Sequence, residues 1–335
     1  MPDSHAMRPP PTPGRPGQIG GHDAIFISIA AYCDPLLAFT ISSALTQASR
    51  PERIRIGLVE QQLPEACVRL PEAWERQVRR VHIHPLQARG PCWARAIAMS
   101  LYQGERWFLQ IDSHTWFEPG WDDRLIAWGE HCAALNPRSL VTTYPNAFTL
   151  RDGQPVATIA GAELLAFVVR PGQQFEPTHP VLMFEAVPVS GQAPLPALHV
   201  GAGCLFGPGQ LVYELPYDPF LYFHGEEQAF ALRAWTRGWD LFHVPGIPLY
   251  HQYVSAGDSR PMHWSPELDA QRQVRSAELS EAANRRMAAL LWQGADLGIY
   301  GLGTVRSLAD FAAFSGIDYA ARAIAPHAYK ARYGY

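Results

Sequence analysis

The run Trp107-Phe-Leu-Gln-Ile111 constrains this chain more than any other stretch, because a short apolar segment stops abruptly on Asp112-Ser113-His114. An apolar run of that length bounded by polar residues reads as a strand buried on both faces. Polar residues at its carboxyl end fall where open α/β sheets place their ligands. Asp112 and His114 alternate, so an extended backbone sends both to one side, where one cation bridges them, and turns Ser113 the other way. A lone acid after a strand is also a common turn-former, so the triplet gains weight only from its surroundings.

Those surroundings alternate between two periods. Strand-like runs recur at Ala24–Ile29, Arg53–Val59, Val81–Pro85 and Ser139–Pro145. Helices are predicted from Pro35, capped by Asp34, to about Gln47, from Pro91 to Leu101 with Trp93, Ile97 and Leu101 on one face, and from Trp121 to Leu135. The order β-α-β-β-α-β-α-β predicts an α/β fold with a mostly parallel sheet covered on both faces. Arg151–Pro196 is rich in Pro and Gly, with β-like runs at Leu164–Val169 and Val181–Val187. It reads as irregular structure and strands crossing the sheet's edge, where an acceptor is held. His199–Gly209 is dense in glycine but has neither GxGxxG spacing nor a following helix, so it is no dinucleotide site. Close backbone approach to a ligand, Gly203 included, is the better use of those glycines. A helix over Glu226–Gly238, a strand over Asp240–Val244, a long helix from Ser265-Pro266 to about Trp292, and a turn and helix across Ile299–Phe311 complete the chain.

Composition bounds the function. At 335 residues and 47% hydrophobic, the chain suits one large domain with an appendage or two moderate ones. A net charge of −4, with no cluster of Lys and Arg, argues against nucleic acid as a partner. Five cysteines without CxxC or finger spacing read as buried thiols of a reducing cytoplasm. Met1–His22 is a Pro-rich stretch with little to bury, expected to be a disordered leader without the apolar core of a signal peptide. No run is long and apolar enough for a transmembrane helix, and the expected location is cytoplasmic.

Several residues carry two readings. Arg89 and Arg95 flank a helix start; they are solvated charges, or guanidinium groups beside a helix N-terminus that seats a diphosphate. Glu226 and Glu227 open a helix, which the macrodipole alone explains, or they do chemistry there. His251, after Leu249-Tyr250, is a satisfied semi-buried histidine or a third metal ligand.

Five stretches in order carry a resemblance: Ser28-Ile-Ala-Ala-Tyr32-Cys-Asp34-Pro35, Gly90-Pro91-Cys92-Trp93-Ala94-Arg95, Phe108-Leu-Gln-Ile-Asp112-Ser113-His114, Phe206-Gly207-Pro208-Gly209, and His224-Gly225-Glu226-Glu227 through Trp235. Gly301-Leu-Gly303-Thr304-Val-Arg306-Ser307 extends it into the tail. The chain resembles glycosyltransferases of the GT-A fold, above all the cytoplasmic retaining polypeptide α-N-acetylglucosaminyltransferases that modify hydroxyproline of a ubiquitin-ligase adaptor. More distantly it is similar to the mucin-type polypeptide N-acetylgalactosaminyltransferases, without their C-terminal lectin domain and Golgi anchor.

That resemblance implies a UDP-sugar donor, most of all UDP-GlcNAc, and a peptide or protein, saccharide or small-molecule acceptor. It implies Mn²⁺ or Mg²⁺ on Asp112, His114 and His251. It places Ala30, Tyr32, Asp34, Arg89, Arg95, Asp112 and Ser113 on the nucleotide-sugar, and Glu226 or Glu227 near the reacting carbon. Gly203, His224, Tyr253 and Arg306 are its sugar or acceptor contacts. The implied layout is a leader (1–22), a GT-A domain (23–264) with nucleotide-binding (23–145) and acceptor (146–264) halves, and a helical C-terminal cap (265–335). Two other classes stay open: a hydrolase with zinc on Asp112, His114 and His251 and Glu227 as base, although HExxH spacing is missing, and a sugar-nucleotide-binding module without catalysis.

Overall fold

The computed structural model describes residues 23–158, 164–254 and 260–330. The expected leader, 1–22, lies outside the described residues. In chain order the elements are β1 (Ile25–Tyr32), α1 (Leu37–Thr46), β2 (Ile54–Gln61), α2 (Glu72–Glu75), β3 (Val78–Ile83), α3 (Pro91–Ser100), β4 (Trp107–Asp112), β5 (Thr115–Phe117), α4 (Trp121–Leu135), β6 (Ser139–Thr142), β7 (Asn146–Arg151), β8 (Gln154–Ala157), β9 (Leu164–Val169) and β10 (Phe184–Val189). They continue as β11 (Leu195–Pro196), β12 (Cys204–Pro208), α5 (Leu211–Glu214), α6 (Glu226–Thr236), β13 (Asp240–His243), β14 (Leu249–His251), α7 (Pro266–Asp269), α8 (Ser276–Leu291), α9 (Leu308–Ser315), and a short antiparallel pair, β15 (Ile317–Asp318) and β16 (Ala323–Ile324), within the segment expected to be helical.

An eight-stranded sheet runs in the order β11-β13-β6-β12-β4-β1-β2-β3. Strands β3, β2, β1 and β4 are parallel, and β12 lies antiparallel between β4 and β6. Alternation along β1 explains why its run is apolar throughout. Ile25, Ile27 and Ile29 pack with Ile41 of α1 and Trp121 and Leu125 of α4 on one face, while Phe26 packs with Met99 of α3 and Phe108 on the other. Helices therefore cover both faces, as the alternation predicts.

The structure corrects three expectations. The glycine-dense stretch is partly a strand, because Cys204, Leu205 and Phe206 are apolar enough to sit in the middle of the sheet; His199–Gly203 and Gly209 lie outside it. The long helix expected from Ser265 is two, α7 and α8. Arg272 lies between them, its guanidinium buried on the carbonyl of His263 and the hydroxyl of Tyr32, and a continuous helix would not turn it inward. Cys33 and Cys67 are half-buried rather than buried, although all five cysteines are free. Among the described residues no helix is long and apolar enough to cross a membrane.

His243 ties the β9–β10 hairpin to the sheet. Its Nε2 accepts from the Phe167 N–H at 3.1 Å, so Nδ1 carries the proton and donates to the Thr142 carbonyl at 3.0 Å. A second proton would face the Phe167 N–H, and burial pushes the imidazole down to about 4. The unfolded chain binds that proton below about 6.5, so this stability is complete above pH 6.5 and lost as pH falls toward 4. Thermal melts across that window should show stability decreasing with acidification, this histidine contributing ~3 kcal/mol. His243→Gln, with no proton to gain, should flatten the profile.

Candidate active site

The site forms where β4 ends. Thr40 of α1 donates to the Ser113 carbonyl at 2.8 Å and accepts from the Thr115 N–H at 2.9 Å, pinning the turn that follows Asp112. Strand β5 leaves that turn and pairs antiparallel with β14, in register Thr115↔His251. This pairing brings His251 beside His114, with ring centroids 4.5 Å apart. Ligand atoms of Asp112, His114 and His251 all lie within 4.8 Å of one another.

Two of the three ligand candidates, His114 and Asp112, have a backing partner outside the group. His114 Nδ1 lies 2.6 Å from Asp34 Oδ2, leaving Nε2 as its other nitrogen. The same Asp34 oxygen accepts from Ser113 Oγ at 2.7 Å, and Oδ1 accepts from the Leu36 N–H at 2.8 Å. Ser113 thus does not turn away from Asp112's side, because the chain bends after Asp112 instead of staying extended. Helix α1 starts at Leu37, with Leu36 as its N-cap and not Asp34. Burial alone would raise the Asp34 carboxyl, but His114, Ser113 and the Leu36 N–H hold it below the usual range. Carboxylate behind imidazole is the usual arrangement that orients a ligating histidine.

Arg95 projects from α3 into the same place. Its guanidinium bridges Asp112 Oδ1 at 2.7 Å and Glu226 Oε1 at 2.6 Å, so it is not a solvated charge. Cys92, one turn earlier, donates to Glu226 Oε2 at 3.0 Å. Burial pushes the Glu226 carboxyl up against the pull of Arg95, whereas Arg95 stays charged between two acids despite its own burial. Asp112 Oδ2 is 3.1 Å from His251 Nε2. Burial opposes its ionisation, but His251 and Arg95 hold Asp112 far below the usual carboxylate range. Burial lowers His251, favouring neutral imidazole.

The paired glutamates have unlike surroundings. Glu226 is 5% exposed and consumed by Arg95 and Cys92; Glu227 is 25% exposed toward the cavity. Its Oε2 accepts from Tyr144 at 2.8 Å and lies 3.4 Å from His199 Nε2, and Oε1 accepts from the Ala202 N–H at 2.7 Å. Burial would raise the Glu227 carboxyl, but His199, the Ala202 N–H and Tyr144 bring it below the usual value. Both glutamates start α6 behind Gly225, whose φ of 87° a side chain rarely adopts. At Gly203 the requirement is proximity: a Cβ there would stand 3.2 Å from Asp112 Oδ2.

These groups line one cavity of about 630 Å³. Of the residues singled out from sequence, Ala30, Tyr32, Asp34, Arg95, Asp112, Ser113, His114, Gly203, His224, Glu226, Glu227, His251 and Tyr253 line it. Arg89 and Arg306 do not. Arg306 is in the tail, paired to Asp240 at 2.7 Å with its guanidinium over the Trp235 ring. Sequence reasoning missed Tyr144, His199, Arg260 and His263, which also line the cavity. Tyr144 beside Pro145 and His199 beside the glycines were visible, but nothing in their spacing ties them to Glu227. The expected outcome for Arg95→Met is a loss of about 3–5 kcal/mol in urea denaturation, because Glu226 and Asp112 lose the charge between them; a loss under 1 kcal/mol would contradict the bridge.

The sequence matches the family described as Glycosyltransferase (GlcNAc) over residues 24–70 and 65–321. No curated protein matches it. Among solved structures, the crystal structure of GalNAc-T7 with UDP, GalNAc and Mn²⁺ is similar at a TM-score of 0.58 and 16% identity. The match covers 87% of this chain and 54% of that one, so the chain spans about half of its length, and the likeness establishes the fold. The chain belongs to the Glycosyltransferase (GlcNAc) family, on a GT-A-type α/β fold.

Proposed function

We propose that this protein moves a sugar, GlcNAc by its family, from a UDP-sugar to an acceptor hydroxyl, with a divalent cation on Asp112, His114 and His251 and Glu227 beside the reacting carbon. The observation that carries the reading is the convergence of that three-ligand group and one partly exposed, ionised carboxylate on a single cavity. GalNAc-T7, crystallised with UDP, GalNAc and Mn²⁺, supports the nucleotide and the metal. Retention of anomeric configuration and a hydroxyl on a peptide follow from the resemblance to the polypeptide α-N-acetylglucosaminyltransferases, as does a cytoplasmic setting, which the five free cysteines support.

The donor set fits the ion. Asp112 is ionised, His251 is neutral with a buried Nδ1 that has no hydrogen-bond partner among the described residues, and His114 has Nε2 to offer. Two imidazoles with one carboxylate suit Mn²⁺ better than Mg²⁺, which favours oxygen. When bound, the ion supplies positive charge where the diphosphate leaves. Arg260 Nη1, 3.6 Å from Asp34 Oδ2, adds a guanidinium on the same side. Tyr32, held by Arg272 over its ring at 5.3 Å, forms the base-binding wall with Ala30. Glu227 presents negative charge to the positive charge that develops on the sugar as the C–O bond to the diphosphate breaks. Glu226 acts through Arg95, keeping Asp112 in its ligating orientation.

The test is UDP release from a panel of UDP-sugars, with and without Mn²⁺ and without added acceptor, since a transferase site also passes its sugar slowly to water. One sugar should give Mn²⁺-dependent release that His114→Ala abolishes. Glu227→Gln should lower turnover by about 100-fold or more with donor KM little changed. Glu226→Gln should instead weaken activation by Mn²⁺, raising the concentration for half-maximal activity by about 10-fold. No release from any sugar, together with no thermal shift by UDP plus Mn²⁺, would overturn the reading, and sugar-independent hydrolysis with tightly held zinc would replace it.

A further inference from the structure

His199 has an arrangement that packing does not explain. It lies in the loop after β11, is 3% exposed, and its ring stacks on Phe184 with centroids 3.8 Å apart and planes 14° apart. Phe167 meets it edge-on at 5.4 Å and Tyr144 at 6.5 Å. In this aromatic slot a phenylalanine would pack equally well without burying a polar edge. Nδ1 is buried with no hydrogen-bond partner among the described residues, a cost of about 1–3 kcal/mol. The polar group opposite Nε2 is the Glu227 carboxylate, at 3.4 Å.

We propose that His199 is a positioning residue for the transfer: stacking on Phe184 fixes its ring so that Nε2–H donates to Glu227 Oε2 and holds that carboxylate, ionised and in one rotamer, toward the sugar. The inference rests on Glu227 being the carboxylate beside the reacting carbon. Three donors from two chain segments then converge on Glu227: the Tyr144 hydroxyl after β6, and the Ala202 N–H and His199 in the loop between β11 and β12. The first two approach in hydrogen-bonding geometry at 2.8 and 2.7 Å, one on each oxygen. His199 adds a second donor to Oε2 from a side chain that cannot rotate away, since its ring is clamped between aromatic rings. The titratable groups facing His199 are Glu227, Tyr144 and, across Phe167, His243; burial keeps His243 neutral, so it does not compete for the carboxylate.

The experiment compares His199→Phe, His199→Gln and Glu227→Gln by UDP release with donor and Mn²⁺ varied. His199→Phe keeps the stacking ring and removes the donor. It should lower kcat by about 10-fold or more, with donor KM within twofold of wild type and an undiminished melting temperature. Its acid limb should move to higher pH, because Glu227 loses a donor that favours its ionised form. His199→Gln, which brings an N–H back toward Oε2, should recover most of the turnover and return the limb. Adding His199→Phe to Glu227→Gln should cost nothing further. If His199→Phe does not fold, His199→Met takes its place as the apolar variant. Equal losses in the apolar and Gln variants with the limb unmoved, or no loss in either while Glu227→Gln is impaired, would overturn the role of His199 and leave the proposed function standing. Unimpaired Glu227→Gln would instead remove Glu227 from the mechanism.

Discussion

Arg95 is the charge on which the rest of the site depends. One guanidinium reaches the end of the central strand at Asp112 and the start of α6 at Glu226, so it joins the strand end that carries Asp112 to the helix start that carries the paired glutamates. A buried ion pair is a poor source of net stability, because desolvation offsets most of the attraction, but breaking one is costly. Its value here is orientation. Bonded to Oδ1, Arg95 leaves the Asp112 Oδ2 edge facing His251 and Gly203.

The same bond separates two glutamates that are neighbours in sequence. One is almost wholly buried at the cavity wall, paired with Arg95 and Cys92; the other is held from Tyr144, Ala202 and His199 with its carboxylate partly open to the cavity. Adjacent positions on a helix point about 100° apart. Their environments, and so their ionisation, diverge for that reason and not through any difference in residue type.

Much of the α/β core was legible because its signal is local. The runs of β1 and β4 are almost wholly apolar, β2 alternates and then turns apolar, and α4 was readable from Trp121 to Leu135 because its stripe recurs at helical spacing. The breaks came where a tertiary partner overrode the local pattern. Arg272 turned inward to Tyr32 and split a helix, and Cys204–Phe206 filled a gap between β4 and β6 that no periodicity announces. In the site, Asp112, His114 and the glutamates stood out through residue type and position. Tyr144 and His199 did not, because a tyrosine before a proline and a histidine before glycines are ordinary until Glu227 lies between them.

The sequence by itself determined the layered α/β architecture, the strand end at which polar chemistry collects, and the family, since those follow from hydrophobic period and from ordered motifs. Only the tertiary structure decided which residues act together. The β14–β5 register put His251 beside His114, Asp34 became the support of His114, and Arg306 went to the tail and out of the cavity. Periodicity records which face of an element is buried; it carries no record of which distant side chain meets that face, because pairing register and loop paths are settled by packing of the whole chain.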